Sequence, residues 1–184
     1  MLTRGCVCVC LRAFLSAGCT NLHHEVELGV LIGKRGTDIN AENAMSHVSG
    51  FVLALDMTAR EIQEVAKKRG EPWSVAKGYD TFCPISEPIP TSKIPDVNKV
   101  ELWLKVNGQL RQQGSTADWI FSLPTLVAHI SRIFTLEEGD LILTGTPEGV
   151  GAVKPGDTIT AGIKGLAEHD ISFAVEHKYP TAKL

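Results

Sequence analysis

The sequence predicts an α+β fold, a rolled or barrel-like mixed β sheet with a few helices packed on its outside. Two observations carry that prediction. Short apolar or β-branched runs of strand length recur along the chain between Gly, Pro and Asn-Gly turns, while only two stretches show helical periodicity. Many short strands with few helices bury their apolar faces by rolling the sheet and covering it with helices. At 184 residues and 43% hydrophobic side chains the chain can build one substantial core, so one domain is expected.

Taken in order, Glu25 to Ile32 alternates loosely before Gly33, and Gly50 to Leu55 is a compact aliphatic run; both read as buried strands. Thr58-Ala59-Arg60-Glu61 fits a capping box, in which a hydroxyl and a carboxylate three residues apart satisfy each other's free N–H groups. A helix is expected from there to about Arg69, ended by Gly70. Val100 to Val106, Asn107-Gly108 and Gln109 to Arg111 read as a hairpin, because Asn-Gly accepts the positive φ angles of a tight turn. Pro124 to Ile133 carries Leu126, Val127 and Ile130 at helical spacing. Further strands are expected at Leu141 to Leu143, Thr158 to Ile163 and Ile171 to Val175, divided by a Gly/Thr/Pro loop, Pro155-Gly156 and Gly165.

Residues 1–20 differ in texture and read as an atypical N-terminal segment outside the fold, with the domain at 21–180 and a tail at 181–184. The segment holds Arg4 and Arg12, no acid, and four of the five cysteines, Cys6, Cys8, Cys10 and Cys19. That crowding argues against a disulfide framework, and with no His or acidic residue nearby a metal site is not expected there. The segment weakly resembles a transit peptide, although Arg12 interrupts the apolar run that a secretory signal needs. A net charge of −3 with evenly scattered Lys and Arg leaves no basic stripe for a phosphate backbone, so no nucleic-acid partner is expected. No apolar run approaches the roughly 20 residues of a membrane-spanning helix, and no membrane partner is expected.

Three acidic residues draw attention. Glu25 and Glu27 in HHEVELG lie two apart on an expected strand, whose period of two sends both carboxylates to one face. Such a pair is often only a solvated face, but Val26, Leu28, Val30 and Leu31 mark this strand as embedded. Asp56 ends the run GFVLAL; an acid there also fits a simple cap or turn. Together the three offer the hard oxygens that Mg²⁺ or Mn²⁺ takes, with water or substrate completing an octahedron. Arg60 and Gln63 share a helix face and could hold a substrate carboxylate, or be ordinary surface residues. Lys77, between Trp73 and Tyr79, is a further candidate cation, unless it only snorkels over aromatic surface. In LTGTPEGVG, Leu143 to Gly151, the glycines permit close backbone approach to a ligand, with Thr144 or Thr146 offering a hydroxyl; a structural turn is the plainer alternative. The loop has neither a P-loop ending nor a dinucleotide fingerprint.

HHEVELG, LDMTAREIQ, WSVAKGYDTFCPIS, LEEGDLILTGTPEGVG and KPGD follow one another in an order that resembles the fumarylacetoacetate hydrolase family, from about Asn21 to Tyr179. The resemblance implies a mixed β-roll of that family's C-terminal-domain type, a homodimer, and Mg²⁺ or Mn²⁺ held by Glu25, Glu27 and Asp56. It implies substrate contacts from Arg60, Gln63, Lys77 and Thr146, with Lys77 as the catalytic cation. The implied activity is cleavage of C–C bonds in small 2-oxo acids, acylpyruvates or oxaloacetate, to give pyruvate. The implied location is mitochondrial, with the cytosol as a second place.

The chain departs from the family pattern at its start, where a Gly-Arg-Asn-Tyr-like stretch, a histidine and a Phe-x-Lys-Pro strand are expected before Glu-x-Glu. In the family that the chain resembles, that segment supplies a lid with the His and Glu of proton transfer, and the resemblance assigns that histidine's role to neither His23 nor His24. The resemblance and the departure from it imply three functional outcomes: decarboxylation retained better than hydrolysis, a weak or inactive metal-binding homologue or dimer partner, or an isomerase or hydratase of related diketo acids.

Overall fold

The computed structural model describes residues 2–3, 13–15 and 19–177. Its elements are β1 (Leu2–Thr3), β2 (Ala13–Leu15), β3 (Leu22–His24), β4 (Val26–Ile32), β5 (Val48–Leu55), β6 (Thr58–Ala59), α1 (Arg60–Arg69) and α2 (Ser74–Lys77). They continue as β7 (Ile89–Pro90), β8 (Glu101–Val106), β9 (Gln109–Ser115), α3 (Leu123–Ser131), β10 (Leu141–Leu143), β11 (Gly151–Val153), β12 (Thr158–Ile163) and β13 (Ile171–His177). The strands divide among three sheets, β1-β10-β4-β5-β7, β11-β3-β6 and β2-β13-β12-β8-β9. The α+β class holds, but the sheets do not close into one barrel. Among the described residues all strand pairings are antiparallel except β2 on β13.

The strand pair β4–β5 is the centre of the molecule, in register from Val26↔Leu55 to Leu31↔Gly50. Period-two alternation splits its side chains between two apolar clusters. Val26, Leu28, Val30, Phe51, Leu53 and Leu55 join the main core. Val52 and Ala54 join Ile85, Leu141 and Leu143 in a smaller one on the opposite face. A sheet buried on both faces explains why GFVLAL reads as a continuous apolar run.

The hairpin β8–β9 turns at Asn107 (φ 51°) and Gly108 (φ 77°), as the sequence predicts. Helix α1 ends at Gly70 in the left-handed conformation (φ 66°), also as expected. Its start is different. The N-cap is Ala59, and the Thr58 hydroxyl donates to Glu25 Oε1 at 2.9 Å, so no capping box forms. The Glu61 carboxylate accepts instead from the backbone N–H groups of Thr20 and Asn21, tying the chain entering β3 to the helix. The Thr58 side chain is turned toward the buried Glu25 carboxylate and away from the helix's free N–H groups, which local sequence cannot show. Helix α3 stops two residues before the expected Ile133, and α2 is a turn that periodicity did not reveal.

Most of residues 1–18, with Cys6, Cys8 and Cys10, and the tail 181–184 lie outside the described residues. The fold nonetheless reaches further back than residue 21. Cys19 is buried in the main core, and the backbones of Leu2–Thr3 and Ala13–Leu15 pair with β10 and β13.

Candidate active site

The two central strands make the site by parity. Glu25 precedes β4 and Glu27 lies on it; Asp56 follows β5, and Asp56 N–H donates to Glu25 C=O at 2.8 Å, continuing the ladder. Glu25, Glu27 and Asp56 thus share the face of Val52 and Ala54, at the end where the smaller apolar cluster stops. Their carboxylate oxygens lie within 4.8 Å of one another, and all three residues are buried. Among the described residues they are the one set of three or more acidic, His or Cys groups close enough to hold an ion.

Cations enter from α1 and α2. The Lys77 side chain is 7% exposed, and its Nζ bridges Glu25 Oε2 at 2.9 Å and Asp56 Oδ2 at 2.7 Å. Arg60 donates to Glu25 Oε1 at 2.7 Å and to Gln63 Oε1. The fourth and fifth groups that the sequence singles out therefore do converge on the triad, although Arg60 here grips a carboxylate of the protein. Glu27 is treated differently: it accepts the Gly145 backbone N–H at 2.6 Å and, among the described residues, has no cationic partner.

These surroundings separate the three acids. Burial pushes the Glu27 carboxyl up to about 7, the Asp56 charge adds to the rise, and Gly145 opposes it. Asp56 is also raised by burial, in part offset by Lys77. Burial acts upward on Glu25 too, but Lys77, Thr58 and Arg60 together hold it below the ordinary carboxylate value. The donor set suits a hard divalent ion. It offers three desolvated carboxylate oxygens, already brackets one ammonium, and leaves Glu27 short of positive charge.

The triad opens into a cavity of about 670 Å³ lined also by Arg60, Gln63, Lys77 and the loop Leu143 to Thr146. Glu64, Lys67, Trp73 and Ser74 complete it. Glu64 and Lys67 are residues that sequence reasoning missed. The signal was present, because 60, 63, 64 and 67 form one helical stripe. Thr146 lines the cavity as expected, but its hydroxyl donates to Val26 C=O at 2.8 Å and accepts from Gln112 Nε2 at 2.8 Å. Thr144 likewise donates to Leu28 C=O. His24 is buried with Nδ1 on Gln112, His23 faces Asn21, and neither lines this cavity.

Fold and site together define a protein with a buried carboxylate cluster, flanked by cations, in a cavity sized for a small ligand. The chain belongs to the fumarylacetoacetate (FAA) hydrolase C-terminal family, whose model matches residues 9–172, earlier than the motifs alone suggest. It is 58% identical over 156 residues to a mitochondrial oxaloacetate decarboxylase of Dictyostelium discoideum, covering 85% of this chain and 71% of the relative. It is 55% identical over 162 residues to a mitochondrial oxaloacetate tautomerase of Rattus norvegicus, covering 88% and 72%. Its fold is similar to that of fumarylpyruvate hydrolase from Pseudomonas aeruginosa in complex with Mn²⁺ and pyruvate. The TM-score is 0.84 and the identity 37%, with 91% of this chain and 72% of the other covered.

Proposed function

We propose that this protein is a metal-dependent enzyme of small 2-oxo acids that cleaves the C3–C4 bond of oxaloacetate-type substrates to give pyruvate. The observation that carries the reading is the buried Glu25, Glu27, Asp56 set with Lys77 and Arg60 at its edge. The names of the relatives, one a decarboxylase and one a hydrolase with Mn²⁺ and pyruvate, support it. Mg²⁺ or Mn²⁺ held by the three carboxylates would supply Lewis-acid polarisation of the keto group. Arg60 and Gln63 bind a substrate carboxylate, the guanidinium by a two-pronged contact and the amide by N–H donation. Thr146, through the loop it anchors, closes the opposite side.

In decarboxylation the C3–C4 electron pair stays on C3 and spreads to the C2 oxygen as an enolate, CO₂ leaves, and C3 then takes a proton from water to give pyruvate. Lys77 offers a fixed positive charge to that developing anion, which is where electrostatic stabilisation accelerates a reaction. A second reading is keto–enol tautomerisation of oxaloacetate, favoured by the name of the Rattus norvegicus relative. It passes through the enolate of oxaloacetate, with negative charge on the same C2 oxygen: a proton leaves C3, the C3–C4 bond stays intact, and a proton is added to the C2 oxygen. Acylpyruvate hydrolysis needs an activated water in addition.

The test is oxaloacetate decarboxylation, oxaloacetate tautomerisation and acetylpyruvate hydrolysis measured side by side with Mg²⁺ or Mn²⁺, on the parent and on Asp56→Ala. Metal-dependent turnover that Asp56→Ala abolishes is the expected result; a protein that binds metal yet turns over none of the three would overturn the reading. We also propose a mitochondrial location, supported by the relatives' names and tested by import into isolated mitochondria. A homodimer is proposed as well, supported by the exposed Ile120 and Phe121.

A further inference from the structure

Gln112, on β9, belongs to no element that carries a candidate ligand, yet its side chain is 1% exposed and uses every hydrogen-bonding valence it has. Oε1 accepts from Val26 N–H at 3.1 Å and from His24 Nδ1 at 2.8 Å. Nε2 donates to Thr146 Oγ1 at 2.8 Å and to Pro147 C=O at 2.9 Å. The orientation of the amide is unambiguous, because Val26 N–H can only donate and Pro147 C=O can only accept. Thr146 Oγ1 in turn donates to Val26 C=O at 2.8 Å. Gln112, Val26 and Thr146 thereby close a ring that joins three segments distant in sequence.

The place of that ring gives it consequence. Val26 separates Glu25 from Glu27, and Thr146 follows Gly145, whose N–H holds the Glu27 carboxylate. Strand β9 presses on the same loop at two further points. A Cβ on Gly114 would stand 2.4 Å from Pro147 Cβ, and one on Gly149 2.0 Å from Arg111 C=O, so backbone meets loop with no room for a side chain. The hairpin is thus a rigid back wall, and Gln112 is its polar contact with the loop.

From this geometry we propose that Gln112 is a positioning residue, which fixes Gly145 N–H against Glu27 and so sets the spacing of the metal-binding carboxylates. It touches neither ion nor substrate. The inference rests on the metal reading above for its consequence, and on the hydrogen-bonded ring for its structural part. Loss of a group that orients a ligand commonly weakens metal binding about tenfold to a hundredfold.

The experiment compares the full chain with Gln112→Leu, which keeps bulk and removes all four hydrogen bonds. Free Mn²⁺ is titrated by electron paramagnetic resonance well below the melting temperature of both, and hydrogen exchange of the Gly145 amide is followed by NMR without metal. Expected are a weakening of Mn²⁺ binding by about tenfold or more and faster Gly145 exchange, with exchange in the β12–β13 ladder unchanged. Mn²⁺ binding equal to the parent's overturns the proposal. Should the parent itself bind no Mn²⁺, the metal reading fails, and Gly145 exchange decides: faster upholds the positioning role, unchanged overturns it. If Gln112→Leu does not fold, Gln112→Glu, which keeps size and acceptors but sets a carboxylate oxygen against Pro147 C=O, carries the same comparison.

Discussion

At the scale of the residue, three carboxylates that differ little in isolation are given three environments, and each has a measurable consequence. Asp56 joins the triad from β5, so Asp56→Ala should lose the stabilisation that Mg²⁺ or Mn²⁺ gives the parent. At a hundredfold excess over Kd a native-state ligand adds about 2.7 kcal/mol, roughly 5–10 °C in Tm for a chain of this size; an unchanged shift in Asp56→Ala would place the ion elsewhere. Arg60→Ala, by contrast, should weaken oxalate more than it weakens metal, and equal losses in calorimetry would make Arg60 a structural partner of Glu25. Glu27 titrates at about 7 when folded, well above its ordinary value, so the folded state binds a proton that the unfolded chain has released. Its stabilising share is full below the unfolded value and is lost as pH rises through 7, a change on the order of a few kcal/mol. In chelator, urea unfolding at pH 5 and pH 8 should therefore show Glu27→Gln gaining on the parent as pH rises, and parallel curves would remove Glu27 from the buried site. Glu25 and Glu27 were legible because strand parity puts them on one face, and Asp56 because it ends an apolar run; that the register of β4 on β5 brings Asp56 beside them was not. Gly145 was legible only as a permissive glycine, since the role belongs to its backbone N–H. Gln112 left no trace, being uncharged and 86 residues from the Val26 N–H it meets.

At the scale of the element, turns and ends followed local chemistry wherever local chemistry met no competitor. Asn107-Gly108 and Gly70 behave as their residue types dictate. A Cβ at Gly70 would meet nothing within 4 Å, so Gly70→Ala tests backbone conformation alone. It should cost about 1 kcal/mol, because a left-handed φ disfavours any side chain, and should leave Mn²⁺ affinity unchanged. Urea unfolding with a parallel metal titration reads both, and a loss of affinity would show that the end of α1 is coupled to the Arg60 end. The start of α1 shows the reverse case. Thr58 and Glu61 match a capping box in sequence, but Glu25 takes the hydroxyl and the Thr20–Asn21 backbone takes the carboxylate. Tertiary partners at separations of 33 to 41 residues decided both.

At the scale of the molecule, the α+β class and most strands were readable from short apolar runs, whereas their division into three sheets was not. Runs buried on both faces carry no alternation to say which neighbour they pair with. The surface carries one further readable feature: Ile120 is 91% exposed and Phe121 59%. In sedimentation velocity the parent should run as a dimer and Ile120→Asp should shift toward monomer; a monomeric parent at micromolar concentration would remove the dimer proposal. The contacts that complete the site, Gly145 to Glu27 and Thr146 to Val26, span 118 and 120 residues. Such separations speak of time as well as space. Closing a loop this long costs more chain entropy than nearer pairings such as β4 with β5, so these contacts are expected to close after them. The carboxylates should therefore assemble on one strand pair before the loop arrives to set Glu27. During refolding from urea, β-sheet signal should recover first and the capacity to capture Mn²⁺ last, so that ion binding marks the completion of the chain's own folding.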